Sequence, residues 1–154
     1  MPVLTVLGGD EGRSALEGIL ALPKQSAGRR AAYPTVFDKA AVLLRSMILN
    51  HPFVDGNKRM GIAATLDFLY LNDEIVGATD DELVRLALGV ATGDLRRLDT
   101  LSRWFEDRSV SLSAIEEAIR IGGVDKLISV LPGRASLRQR RLLDFVIHIL
   151  GTPP

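Results

Sequence analysis

The sequence predicts an all-α fold: a compact helical bundle with a central helix–loop–helix and an extra helical C-terminal tail. Three observations predict it. Apolar residues recur at helical spacing through most of the 154 residues. Capping-box signals open several of those stretches. Strand-like alternation is hard to find.

The elements follow in chain order. Gly8-Gly9-Asp10-Glu11-Gly12 reads as a turn-rich start. Ser14 to Leu22 reads as a short helix with Leu16, Ile19 and Leu20 at helical spacing, stopped by Pro23. Lys24 to Tyr33 is a loop with room for a small hairpin around Gly28. Thr35-x-x-Asp38 opens a helix to about Leu49, with Phe37, Ala40, Ala41, Leu44, Met47 and Ile48 as its apolar stripe.

Asn50 ends that helix, and a second runs from about Asn57 to Leu71 with Ile62, Leu66, Leu69 and Tyr70 facing inward. Gly61 inside it costs about 1 kcal/mol against alanine, which points to a close neighbour on that face. Thr79-x-x-Glu82 opens a helix to Thr92, before Gly93, and Asp99 to Asp107 forms another, with Trp104 and Phe105 as core. Beyond Ser109, Ser113-x-x-Glu116 opens a helix ended by Gly122-Gly123, Val124 to Leu131 forms a short one, and Ser136-x-x-Gln139 opens a last one to about Leu150. The expected division is a main domain over 1–108, holding the central helix–loop–helix, and a helical extension over 109–154, packed on the same domain.

Bulk properties exclude several classes. The formal net charge is zero, which argues against a chain-wide attraction to nucleic acid or anionic membrane. No cysteine is present, so disulfides, thiol nucleophiles and Cys-ligated metals are excluded, and a reducing cytoplasm is the expected compartment. The start lacks a basic signal-peptide region, and its apolar run is too short for a span. His51 and His148 are too few for a histidine-built metal cluster. Arg134, Arg138, Arg140 and Arg141 lack interleaved aromatics and read as a solvated helix face, so no direct nucleic-acid contact is expected.

The chemistry concentrates in His51-Pro52-Phe53-Val54-Asp55-Gly56-Asn57-Lys58-Arg59, between the two central helices. His51 could act as a general base, or simply cap the preceding helix. Phe53 is an apolar pin for the loop. Asp55 could bind Mg²⁺ or cap the next helix. Gly56 allows close backbone approach or a positive φ. Asn57, Lys58 and Arg59 occupy a first helical turn, where cations oppose the macrodipole. Two consecutive ones suggest an anion to be bound. The loop is not a Walker A sequence.

These residues resemble the signature of the Fic/Doc fold, specifically its death-on-curing (Doc) branch of toxins from toxin–antitoxin systems. Gly9-Asp10-Glu11-Gly12, Leu16, Ala21-Leu22-Pro23, Tyr33 to Ala41, Phe68-Leu69 and Trp104 extend the likeness over about residues 8–107. The resemblance implies ATP as substrate and Mg²⁺ as cofactor. In it His51 is the catalytic base, Asp55 the metal ligand, and Gly56, Asn57, Lys58 and Arg59 the phosphate cradle, with Phe53 as loop anchor. Most Fic proteins transfer AMP and carry glycine where Lys58 stands and a second arginine where Ile62 stands. Doc-type toxins share the lysine and lack that arginine. They transfer the terminal phosphate to a threonine of elongation factor Tu and so halt translation.

The resemblance therefore implies a phosphotransferase with elongation factor Tu as target and a cognate antitoxin as partner. The alternatives are an AMP transferase and a degenerate member that only binds an antitoxin. Two departures stand out. Doc-like toxins usually carry a helix ahead of the Gly-rich start, and residues from about Ser109 match nothing in the family pattern. The family's inhibitory Ser/Thr-x-x-x-Glu-Gly/Asn is incomplete at Ser102 to Asp107, at Ser113 to Ala118 and at Ser14 to Gly18, so a separate antitoxin is expected rather than self-inhibition.

Overall fold

The computed structural model describes the chain over residues 9–130, with side chains described over 9–121. Within those bounds the chain is essentially helical, as expected. The elements are α1 (Asp10–Ala21), β1 (Ser26–Ala27), β2 (Arg30–Ala31), α2 (Val36–Leu49), α3 (Asn57–Leu71), β3 (Glu74–Val76), α4 (Asp80–Thr92), α5 (Leu98–Glu106), β4 (Ser109–Ser111) and α6 (Leu112–Val130).

Helix α2 is the centre. Ala40 to Leu44, Met47 and Ile48 are all buried, so the helix is apolar on more than one face and is packed on several sides. Leu44 and Ile48 join Leu69 of α3, Leu86 and Val90 of α4, and Leu101 and Phe105 of α5 in the main core. Each large side chain so buried is worth about 1.5–3 kcal/mol of apolar transfer. A second cluster joins Ile19 of α1, Leu43, Met47 and Phe53. It pins the loop after α2 to the body.

Of the four expected capping boxes, those at Thr35 and Thr79 form. The Thr35 hydroxyl accepts from the Asp38 N–H, and the Asp38 carboxylate accepts from the Thr35 N–H. Thr79 and Glu82 repeat the arrangement at α4. Gly61 has the close neighbours that its place in a helix suggests. A Cβ there would lie 3.1 Å from Ile48 Cγ1 and 3.3 Å from Met47 Cβ. The hairpin around Gly28 is present, with Ala27 paired to Arg30 and Gly28 at φ +65°.

Several expectations need correction. Helix α1 starts at Asp10, because Gly9 turns the chain and Asp10 and Glu11 suit the positive end of the helix dipole. It passes into a 3-10 turn over Leu22–Lys24, with Pro23 buried inside that turn. Tyr70 points outward, 57% exposed, because the inward stripe of α3 runs through Gly61, Thr65 and Leu69.

The strands β3 and β4 were not legible. They pair antiparallel, with Ile75 opposite Val110, and three residues are too few to establish an alternation. Helix α6 is not opened by Ser113. Asp73 opens it, its carbonyl accepting from the Leu112 N–H and its carboxylate from the Ser113 N–H. The helix then runs through Gly122-Gly123 without a break. Strand β4 pairs with β3, and Ile115 and Ala118 on α6 are buried. The helix expected from Ser136, with His148 and the arginine run, lies outside the described residues.

Candidate functional site

The site is the loop between α2 and α3. Asn50 closes α2 with αR geometry, and His51 reverses the chain at φ +46°. A non-glycine residue in that region is sparsely populated, and the following Pro52 restricts it further. Pro52 and Phe53 are buried, so the strained turn is held from below while the His51 side chain stands exposed. Strain retained at one residue by a well-packed surround is a feature of functional sites.

Asn57 fixes the loop. Its Oδ1 accepts from the Phe53 N–H at 2.9 Å, and its Nδ2 donates to the Phe53 carbonyl at 2.8 Å. Asn57 is itself buried. Its side chain is therefore committed to the loop backbone, and what it can offer an anion is its main-chain N–H.

Gly56 is the N-cap of α3 at φ +80°, a left-handed position that glycine occupies without steric cost. No side chain caps this helix end. The first-turn N–H groups of Asn57, Lys58 and Arg59 therefore face outward, the condition that makes a helix N-terminus an anion site. Lys58 and Arg59 are exposed on that same turn, and the turn contains no acid.

Asp55 does not cap α3. One carboxylate oxygen accepts from the adjacent Gly56 N–H at 2.6 Å, and the other lies 3.7 Å from the Arg59 guanidinium. Both side chains of that pair are more than four-fifths exposed, so the ion pair is weak and either partner can turn to another ligand.

A groove of about 440 Å³ opens between α3 and α4, beginning at Lys58 and Arg59 and floored by Ile62, Leu66, Leu83 and Ala87. It is predominantly apolar, with Asp80 at its polar edge. The α4 side of this groove was missed from sequence. Its signal was available in the spacing of Leu83, Val84, Ala87 and Leu88. All seven predicted site residues thus share one loop and helix start, five of them at the surface or partly exposed and two, Phe53 and Asn57, beneath it.

Comparison with known proteins bears on this loop. Residues 6–69 match the Fic/DOC family. The Doc likeness is also direct: the chain is 42% identical over 66 residues to a protein named Toxin Doc from Mycolicibacterium smegmatis (strain ATCC 700084 / mc(2)155). That alignment covers 43% of this chain and 51% of the relative, so the chain spans about half the length of the curated relative it matches. No solved structure gives a significant match. The Fic/DOC match ends at residue 69, inside α3, short of the range to about 107 suggested by the residue pattern. It includes the whole loop from His51 to Arg59.

Proposed function

We propose that the chain is a toxin-type enzyme that uses ATP and Mg²⁺ to phosphorylate a hydroxyl on a protein target. The observation that carries the reading is the pairing, in one nine-residue loop, of an exposed, backbone-strained His51 with an uncapped helix start bearing Lys58 and Arg59. The histidine is placed to take a proton from an incoming hydroxyl. The first-turn N–H groups, Lys58 and Arg59 supply fixed positive charge for a phosphate chain.

The residues fit a hard divalent cation. Among the described residues no group of three or more His, Asp or Glu could hold a metal. One exposed carboxylate, Asp55, suits an ion held jointly by protein and nucleotide phosphates, the usual mode for Mg²⁺. When bound, that ion would neutralise phosphate charge and fix the phosphate geometry. Gly56 keeps the backbone close to the phosphates, and Phe53 and Asn57 keep the loop in register beneath them.

By its likeness to the Doc branch, the target is elongation factor Tu, the effect is inhibition of translation in the cytoplasm, and a cognate antitoxin restrains the enzyme. Among the described residues no helix is long and apolar enough to cross a membrane, which suits a cytoplasmic target. Lys58 favours transfer of the terminal phosphate over AMP, because its side chain fills space that glycine would leave open.

The deciding experiment incubates the chain with elongation factor Tu, Mg²⁺ and ATP labelled on either the α- or the γ-phosphate. Label from the γ-position only supports the kinase reading. Label from the α-position makes the chain an AMP transferase. No label from either position on that target or on a cell extract supports the member that only binds an antitoxin.

A further inference from the structure

The groove between α3 and α4 is continuous with the loop but has no role in the transfer step itself. It starts at Lys58 and Arg59, in the first turn of α3, and extends to Leu66, so it follows that helix for about 10 Å away from the loop. Its volume of about 440 Å³ lies within the range of small-ligand sites, roughly 300–1,000 Å³. Its walls are left open among the described residues. Val84 is 57% and Leu88 47% exposed on the α4 side, and Ala63 is exposed on the α3 side. Apolar walls with a few polar groups at one edge are the usual make-up of a small-ligand pocket.

We infer that this groove is the nucleoside subsite: it takes the adenosine end of the nucleotide whose phosphates lie on the first turn of α3. The inference rests on the reading of Gly56, Asn57, Lys58 and Arg59 as the phosphate cradle. A phosphate chain held there must leave its nucleoside to one side, and a purine ring needs apolar contact for both its faces. Ile62 and Leu66 on α3 and Leu83 and Ala87 on α4 offer that contact, beginning at the same two cations that face the phosphates.

Charge argues the same way. Lys58 and Arg59 draw phosphate to the mouth of the groove, and the acid in its lining, Asp80, repels it. A carboxylate accepts hydrogen bonds, so Asp80 suits the amino and hydroxyl hydrogens of a nucleoside rather than a triphosphate. With the nucleoside lying along α3, the phosphate chain runs back over the helix start. The terminal phosphate is then the one that comes nearest the loop and His51. The groove therefore bears on which phosphate is transferred as well as on where the base sits.

The test separates nucleoside from phosphate. Binding of ATP and of inorganic tripolyphosphate, each with Mg²⁺, is measured by calorimetry on the full chain. Ala63→Phe and Val84→Phe are measured beside it. They narrow the groove from its two walls without a change of charge, and both positions are exposed, so circular dichroism should match the parent. The parent is expected to bind ATP about tenfold tighter than tripolyphosphate, the nucleoside adding apolar contact in the groove. The variants are expected to lose most of that margin while their affinity for tripolyphosphate stays parental. A parent that binds both ligands equally overturns the inference and leaves the cradle standing. Variants that weaken both ligands alike also overturn it. Variants that keep the parental margin overturn it too, and assign the groove to a protein partner. Tripolyphosphate that does not bind the parent contradicts the cradle itself, and the inference falls with it.

Discussion

Phe53 and Asn57 hold one another through two hydrogen bonds, the Phe53 N–H and carbonyl being matched by the two ends of the Asn57 amide. This pair joins the apolar anchor of the loop to the first residue of α3. It makes the separation between His51 and the helix start a property of packed, buried atoms rather than of a mobile loop. Asn57→Ala leaves both buried main-chain groups of Phe53 without these partners, so a loss of about 2 kcal/mol is expected in urea unfolding. Transfer activity should fall with it, although the Asn57 amide side chain is not itself a phosphate ligand in this arrangement.

Gly56→Ala tests the helix cap. At φ +80° an alanine is strained, and relief of that strain would shift the first-turn N–H groups of α3. A loss of about 1 kcal/mol is expected, together with weaker ATP binding by calorimetry. A variant that binds ATP as well as the parent would remove Gly56 from the cradle.

Gly61→Ala sets two effects against each other. Helix propensity favours alanine by about 1 kcal/mol. The added Cβ would sit 3.3 Å from Met47 Cβ, which the α2 backbone fixes, and 3.1 Å from Ile48 Cγ1. Overpacking of this kind costs about 1–3 kcal/mol, so net destabilisation is expected in a thermal melt.

The acid limb of stability should depend on Asp38. Burial pushes its carboxyl up, but hydrogen bonds from the Ser102 hydroxyl and from the Thr35 main chain and hydroxyl outweigh that and hold it below its ordinary value of 3.8. A depressed folded-state pKa contributes stability above the unfolded value that is lost as pH falls through the folded one. Ser102→Ala removes the bond to Asp38 Oδ1. The mutant should be less stable than the parent at neutral pH, and the gap should narrow below about pH 4. A gap that stays constant across that range would separate Ser102 from the Asp38 titration.

Much of this was readable in the residues, and the reasons differ by element. Capping boxes such as Thr35 with Asp38 are local chemistry, and α2 and α3 begin and end where the sequence places them. The candidate loop stood out in the sequence because its residue types are incongruous with a structural helix start, cations standing where acids belong. The pairing of Ile75 with Val110 was not, because it joins segments 35 positions apart through strands of only three residues. Nor was the cap of α6. Asp73 makes it from a left-handed turn after α3, at φ +70°, with its carboxylate held below the ordinary range by the Ser113 and Ser111 hydroxyls. Asn57 was read as part of the cradle, and only its geometry assigns its amide to the loop.

The most direct test is single-residue. His51→Ala removes an exposed side chain that makes no packing contribution to either core cluster, so the variant should unfold at the same urea midpoint as the parent. With Mg²⁺, γ-labelled ATP and elongation factor Tu, the parent is expected to transfer label and the variant to be slower by a hundredfold or more, on the order expected for loss of a general base. A folded His51→Ala protein that transfers label at the parental rate would contradict the assignment of His51 as the base, and with it the proposed mechanism.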